Sequence, residues 1–139
     1  MFSVTREIPF CYGHRLLEHD GKCRHLHGHN GRAVITLASE ALDAMGMVMD
    51  FSKLKRVVGG WIEQALDHKM VLHHADPALP WMRQQGEPVF VMDVNPTAEN
   101  IARLIFEYAA GQGFPVVEVR LWETETCSAT YTGPARGAR

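Results

Sequence analysis

The stretch Cys23-Arg24-His25-Leu26-His27-Gly28-His29-Asn30 decides how the rest of the chain is read. In an extended strand successive side chains alternate faces, so His27 and His29 project to one side. Gly28 adds no bulk between them. Two imidazoles held that way are half of a metal site, and Cys23, four residues before His27, is a candidate reactive thiol. The strand continues beyond Asn30, because residues 31–39 are rich in apolar and β-branched types.

Upstream, Phe2, Val4, Ile8 and Phe10 share one parity, broken by Arg6. This predicts a first strand that runs on through Cys11, Tyr12 and Gly13 to His14 and pairs antiparallel with residues 31–39. His14 then ends a strand beside the one leading from His29, which makes it the best third ligand. His25 shares parity with His27 and is a rival third ligand. A catalytic zinc takes three protein ligands and keeps one position open, and three neutral imidazoles leave the ion its full charge for polarising a hydroxyl or carbonyl. His73 and His74 point opposite ways in any strand and read as loop residues.

Downstream, residues 45–51 predict a short strand entered through Gly46. From Ser52, a reasonable N-cap, Leu54, Val57, Val58, Trp61, Ile62, Ala65 and Leu66 follow helical spacing to an end near Asp67-His68. Gly59-Gly60 inside that helix has no evident sequence reason. Residues 73–87, with Pro77, Pro80 and Gly86, read as loop, and 88–93 as a strand. Thr97 caps a second helix with Glu99 in its first turn and Ile101, Leu104, Ile105 and Tyr108 on its apolar stripe; Gly111 and Gly113 stop it. Residues 116–123 and 128–131 predict two last strands, and 134–139 a frayed tail. Helices flanking a mostly antiparallel sheet make the class α+β.

The 139 residues suit one domain, 1–139, with 46% hydrophobic and 22% charged residues as in ordinary globular chains. A formal net charge of -2 gives no reason to expect nucleic acid or an anionic membrane as partner. No apolar run approaches the roughly 20 residues that span a bilayer. The charged start is no signal peptide, and three cysteines cannot all pair within the chain, so reduced thiols in a cytoplasm are expected.

Three further positions carry candidate chemistry. Only a thiolate acts as base or nucleophile, and Lys22, Arg24 and a nearby metal ion favour that form of Cys23. As a fourth zinc ligand, Cys23 would instead close the site and make it structural. Asp67-His68 pairs a carboxylate with an imidazole, the requirement for a proton shuttle, although sequence neighbours do not face each other on a helix. Glu123 continues the apolar face of a core strand, where a carboxylate is costly unless paired; a planar ligand with two N–H donors on one edge would satisfy it. Glu125, of the same parity, is its rival.

Together these pieces resemble the 6-pyruvoyl-tetrahydropterin synthase / 6-carboxy-tetrahydropterin synthase family. The marks are Phe10–His14, Cys23 before His27-Gly28-His29-Asn30, Met49-Asp50-Phe51, Leu66-Asp67-His68, Asn95-Pro96-Thr97-Ala98-Glu99-Asn100 and Glu123-Thr124. Each alone is weak; all six in this order are specific. The resemblance implies a T-fold, an antiparallel sheet with two helices on one face, assembling around an axis into a β-barrel. It implies zinc on His14, His27 and His29, Cys23 as base assisted by Asp67 and His68, and Glu123 anchoring a pterin framed by Thr97 and Glu99. It further implies sites between subunits of a homohexamer of two stacked trimers. Three residues between Cys23 and His27 look like the bacterial enzymes of the queuosine pathway. That favours a lyase converting 7,8-dihydroneopterin triphosphate to 6-carboxy-5,6,7,8-tetrahydropterin, acetaldehyde and triphosphate. A 6-pyruvoyl-tetrahydropterin synthase losing triphosphate only, or a zinc-stabilised pterin-binding oligomer without turnover, are the alternatives. Gly31 stands where the family usually has an aromatic, Tyr12-Gly13 where two small residues are common, and Leu72-His73-His74 where Leu-Asn follows the Asp-His pair.

Overall fold

The computed structural model describes residues 1–133; the predicted tail at 134–139 lies outside them. Its framework is a long hairpin-like pair, β1 (Phe2–His14) and β2 (His27–Ser39), in antiparallel register from Phe2 opposite Ser39 to His14 opposite His27. The alternation seen in the sequence becomes burial. Ile8, Phe10, Tyr12 and His14 of β1 are buried, as are Ala33, Ile35 and Leu37 of β2. The order of strands across the sheet is β4-β3-β1-β2-β5-β6. β5 (Val116–Trp122) pairs antiparallel with β2, with a register shift at Thr36/Leu37, and β6 (Ser128–Thr132) pairs antiparallel with β5.

The other side of the sheet departs from the sequence reading. β3 (Lys69–His73) adds parallel to β1, and β4 (Val89–Met92) adds parallel to β3, so the sheet is mixed. β3 covers residues 69–72, to which the sequence pattern gave no element, and His73, expected as loop. Its hydrogen bonds come from β1 and β4, partners that lie far away in sequence.

Helix α1 is one continuous run: Phe51–Leu54, a π-helical segment Lys55–Gly59, then Gly60–Ala65. Leu54, Val58, Ile62 and Leu66, spaced by four, are buried against the sheet. Asp50, not Ser52, caps it: the Asp50 carboxylate accepts the Ser52 amide at 2.8 Å. The glycine pair falls where the helix changes pitch. A Cβ on Gly59 would lie 3.4 Å from Ile8 Cδ1, whereas one on Gly60 would meet nothing within 4 Å. The strand expected at 45–51 does not form, because the Asp43 carboxylate takes the amides of Met45 and Met47 and bends the chain through Gly46 at φ 83°.

Within the expected loop, α2 (Ala78–Gln84) forms despite its prolines. Pro77 is the cap and Pro80 lies in the first turn, where no intrahelical amide bond is lost. Leu79 and Met82 pack on Leu72 as a small second cluster. Helix α3 (Ala98–Gly111) is capped by Thr97, whose hydroxyl accepts the Asn100 amide at 3.1 Å. It buries Ile101, Ala102, Ile105, Phe106 and Ala109 against the sheet face that α1 covers, and Trp61 stacks on Tyr108 at 4.2 Å to join the two helices. Among the described residues no helix is long and apolar enough to cross a membrane.

Candidate active site

The apolar face of the sheet turns polar at one end, and the same alternation that buries the core aims the polar groups. On β1 the series Ile8, Phe10, Tyr12 ends at His14; on β2 the series Leu37, Ile35, Ala33, Gly31 continues to His29 and His27. Because Tyr12 is opposite His29 and His14 opposite His27, three imidazoles converge. Their ring centroids lie 4.6, 5.1 and 5.0 Å apart, and one ligating atom of each falls within 4.8 Å of the others.

Two of the tautomers follow from backbone carbonyls, which only accept. His14 Nδ1–H donates to the Pro96 carbonyl and His27 Nδ1–H to the His25 carbonyl, each at 2.7 Å. Neutral rings held this way keep bare Nε2 lone pairs, and His14 Nε2 lies 3.1 Å from His29 Nε2. Burial lowers the pKa of His14 and the neighbouring imidazoles lower it further, against the Pro96 carbonyl and Glu123, which raise it. Three convergent imidazole nitrogens, two oriented by carbonyls, suit a divalent zinc-like cation. His25 is not among them: its exposed ring accepts from Arg24, and its contribution is the carbonyl that turns His27.

Glu123 lies just past β5, where its amide bonds the Cys127 carbonyl at 3.0 Å. Its carboxylate is 3.6 Å from His14 Nε2 and 3.8 Å from His29 Nε2. Glu125 is exposed. Cys23 sits on a 3₁₀ turn, Lys22–Arg24, and lines a cavity of about 320 Å³ with His14, Thr97, Glu99 and Glu123. The 95–100 turn is tied to this corner by Asn95, whose amide side chain exchanges two 3.0 Å hydrogen bonds with the Leu17 backbone.

Asp67 and His68 occupy other ground. His68 lines a second cavity of about 580 Å³ with Cys11 and Asn30, and His27 and His29 also border it, so the histidine cluster stands between the two cavities. Asp67 borders a cleft of about 850 Å³ between β1 and α1 that holds none of the three histidines. The structure thus brings neither Asp67 nor His68 to the cavity that Cys23 lines.

Asp67 and His68 do meet each other: His68 Nδ1–H donates to Asp67 Oδ2 at 2.8 Å. The helix has already ended, and His68 takes a left-handed φ of 57° that folds its ring back on its neighbour. Burial alone would raise the Asp67 pKa, but the Cys11 amide at 2.9 Å and the His68 ring outweigh it and hold the carboxylate below its ordinary value.

Residues 3–134 match the family model described as 6-pyruvoyl tetrahydropterin synthase. The chain belongs to this family. It is 37% identical over 134 residues to the 6-carboxy-5,6,7,8-tetrahydropterin synthase of Rickettsia bellii, covering 91% of this chain and 97% of the relative. The protein of the same name from Haemophilus influenzae is 30% identical over 139 residues, covering 94% and 99%. Among solved structures, an uncharacterized protein from Wolinella succinogenes superposes with a TM-score of 0.79 at 26% identity, covering 96% and 98% of the two chains. The Caenorhabditis elegans 6-pyruvoyl tetrahydropterin synthase does so at 0.72 and 25%, covering 96% of each. The chain is therefore a T-fold enzyme of the tetrahydropterin synthase type, with a mixed six-stranded sheet.

Sequence reasoning passed over three parts of the site. Tyr12 was legible from parity alone, since it lies between Phe10 and His14 on one face. The Pro96 carbonyl and the Asn95 clamp were not, because a backbone acceptor leaves no mark in residue type. Arg15, at the end of β1, is committed to Asp76, to which it donates from Nε at 2.8 Å and also from Nη2.

Proposed function

We propose that this protein is a zinc-dependent lyase that converts 7,8-dihydroneopterin triphosphate to 6-carboxy-5,6,7,8-tetrahydropterin, acetaldehyde and triphosphate. The observation that carries the reading is the convergence of His14, His27 and His29 beside Glu123. The Rickettsia and Haemophilus relatives and the three-residue spacing from Cys23 to His27 support the 6-carboxy product over the 6-pyruvoyl one.

His14, His27 and His29 would hold the ion, which when bound supplies Lewis-acid polarisation of a substrate hydroxyl or carbonyl. Glu123 accepts the two N–H donors along one edge of the pterin, and Thr97 and Glu99 frame the ring from the start of α3. Cys23, as thiolate, removes a proton from the substrate side chain. His68 moves a second proton, held in one tautomer by Asp67. Lys22 and Arg24 remain available for the triphosphate, since Arg15 is taken by Asp76.

One chain places Cys23 and the Asp67–His68 pair at different cavities. We therefore assign the pair to a neighbouring copy's Cys23 within a cytoplasmic homohexamer. Incubating the zinc-loaded enzyme with 7,8-dihydroneopterin triphosphate tests the reaction. Acetaldehyde together with triphosphate is the expected result. Triphosphate without acetaldehyde would point to the 6-pyruvoyl reaction, and tight pterin binding with neither product to a binding protein.

A further inference from the structure

Tyr12 stands inside the proposed site and carries none of the roles given so far. Its buried ring stacks on Phe10 at 5.3 Å, meets His14 edge-on at 5.2 Å and tilts toward His29 at 5.7 Å. Its hydroxyl donates to Glu123 Oε1 at 2.8 Å. Among the described residues this is the one side-chain hydrogen bond that Glu123 receives; the His14 and His29 nitrogens, at 3.6 and 3.8 Å, stand too far away to make another.

Room for the ring comes from the neighbouring strand. A Cβ on Gly31 would lie 2.9 Å from Tyr12 Cε1, 3.4 Å from Cδ1 and 3.3 Å from the Phe10 carbonyl oxygen. Position 31 is opposite Phe10 and diagonal to Tyr12, so the space a side chain there would fill is taken by the phenol. The two residues form one unit: a large ring on β1 is admitted because β2 has nothing there. Facing a carboxylate oxygen, which only accepts, the phenol O–H is the donor of this pair.

We infer that Tyr12 is a positioning residue for the ligand-binding carboxylate. With Gly31 making room for its ring, it holds Glu123 through one lone pair of Oε1. Oε2 and the second lone pair of Oε1 are then free for the two N–H donors of a pterin edge. A carboxylate oxygen accepts two hydrogen bonds, so phenol and ligand share Oε1 without conflict. A carboxylate already held in place loses less rotamer freedom when ligand arrives, and the difference appears in affinity. The inference rests on the reading of Glu123 as the pterin anchor.

Zinc-loaded wild type, Tyr12→Phe, Gly31→Ala and the double variant test it, with neopterin as binding probe and 7,8-dihydroneopterin triphosphate for kinetics. Tyr12→Phe keeps the ring, and its zinc content and melting temperature should stay near those of wild type. Its KM and its neopterin Kd should rise about tenfold, the scale of one hydrogen bond to a charged group, while kcat moves less than about threefold. Gly31→Ala, by displacing the ring, should weaken neopterin binding to the same degree, and the double variant should be little weaker than either single one. Unchanged KM and Kd in an active Tyr12→Phe enzyme overturn the inference alone, and full additivity overturns the link to Gly31. A wild-type enzyme that neither binds neopterin nor turns over substrate removes the functional reading, and the inference with it.

Discussion

At the scale of single residues, the site works by removing freedom. His14 and His27 each give up Nδ1–H to a backbone carbonyl, leaving Nε2 as the only lone pair to offer. Ligands built this way should hold metal without help from sulfur. Cys23→Ala should therefore abolish turnover while metal analysis still finds zinc; loss of zinc in that variant would instead make Cys23 a fourth ligand and the site a closed structural one. Asp67 is held below its ordinary pKa by the Cys11 amide and the His68 ring, so it remains a carboxylate through the neutral range and acts on His68 by orientation. Asp67→Asn should lower kcat by about a hundredfold, the modest end of general acid–base effects, with KM nearly unchanged. A steady-state comparison of the two constants checks this.

Elements deliver these residues, and two small devices keep the delivery accurate. The first is the turn that starts α3. Thr97 caps the helix, Pro96 holds His14, and Asn95 clamps Leu17, so one turn serves fold and site together. Thr97→Ala should cost about 1 kcal/mol in a denaturant titration and raise KM as well, because the pocket wall moves with the cap.

The second device is Arg15–Asp76, which ties the end of β1 to the start of α2. The Asp76 side chain is fully buried and the Arg15 side chain partly open. Burial raises the Asp76 pKa, but Arg15 and the Ala78 amide outweigh it, and the net pKa is lowered. The stability it contributes is present above the unfolded carboxylate value of about 3.9 and lost as pH falls through the lower folded value. Asp76→Asn should cost about 3 kcal/mol at pH 7, the low end for a broken buried pair. The gap from wild type should narrow in urea titrations run below about pH 4.

At the scale of the whole molecule, the chain carries surface that the proposed assembly would use. Its sheet has two open edges, β4 and β6, and Val117, Phe51 and Phe2 are large apolar side chains left exposed. The proposed pairing of Cys23 with a neighbouring copy's His68 would give that surface a catalytic role. Cys23→Ala and His68→Ala enzymes, each inactive, should regain activity when dissociated, mixed and reassembled. The recovery should be on the order of a quarter of wild type, because random assembly leaves about one site in four with both residues intact. No recovery at all would mean that both residues act from one chain.

The residues that share a face were readable from the chain alone. Alternation on Phe10–Tyr12–His14 and His27–Gly28–His29 is a property of extended backbone, so parity put the members of each series on one face, while it left Glu123 and Glu125, or His14 and His25, as rivals. The caps and the apolar stripe of α3 were equally local. What local pattern did not contain was the company each segment keeps. β3 is a strand because β1 and β4 offer it hydrogen bonds. α2 forms because Leu72 gives Leu79 and Met82 a surface to pack on. Residues 45–51 lose their strand to the Asp43 side chain. Position 31 is empty because a ring from the next strand fills it. Side-chain direction is written in neighbouring residues; partnership between distant segments is decided only when they are packed together.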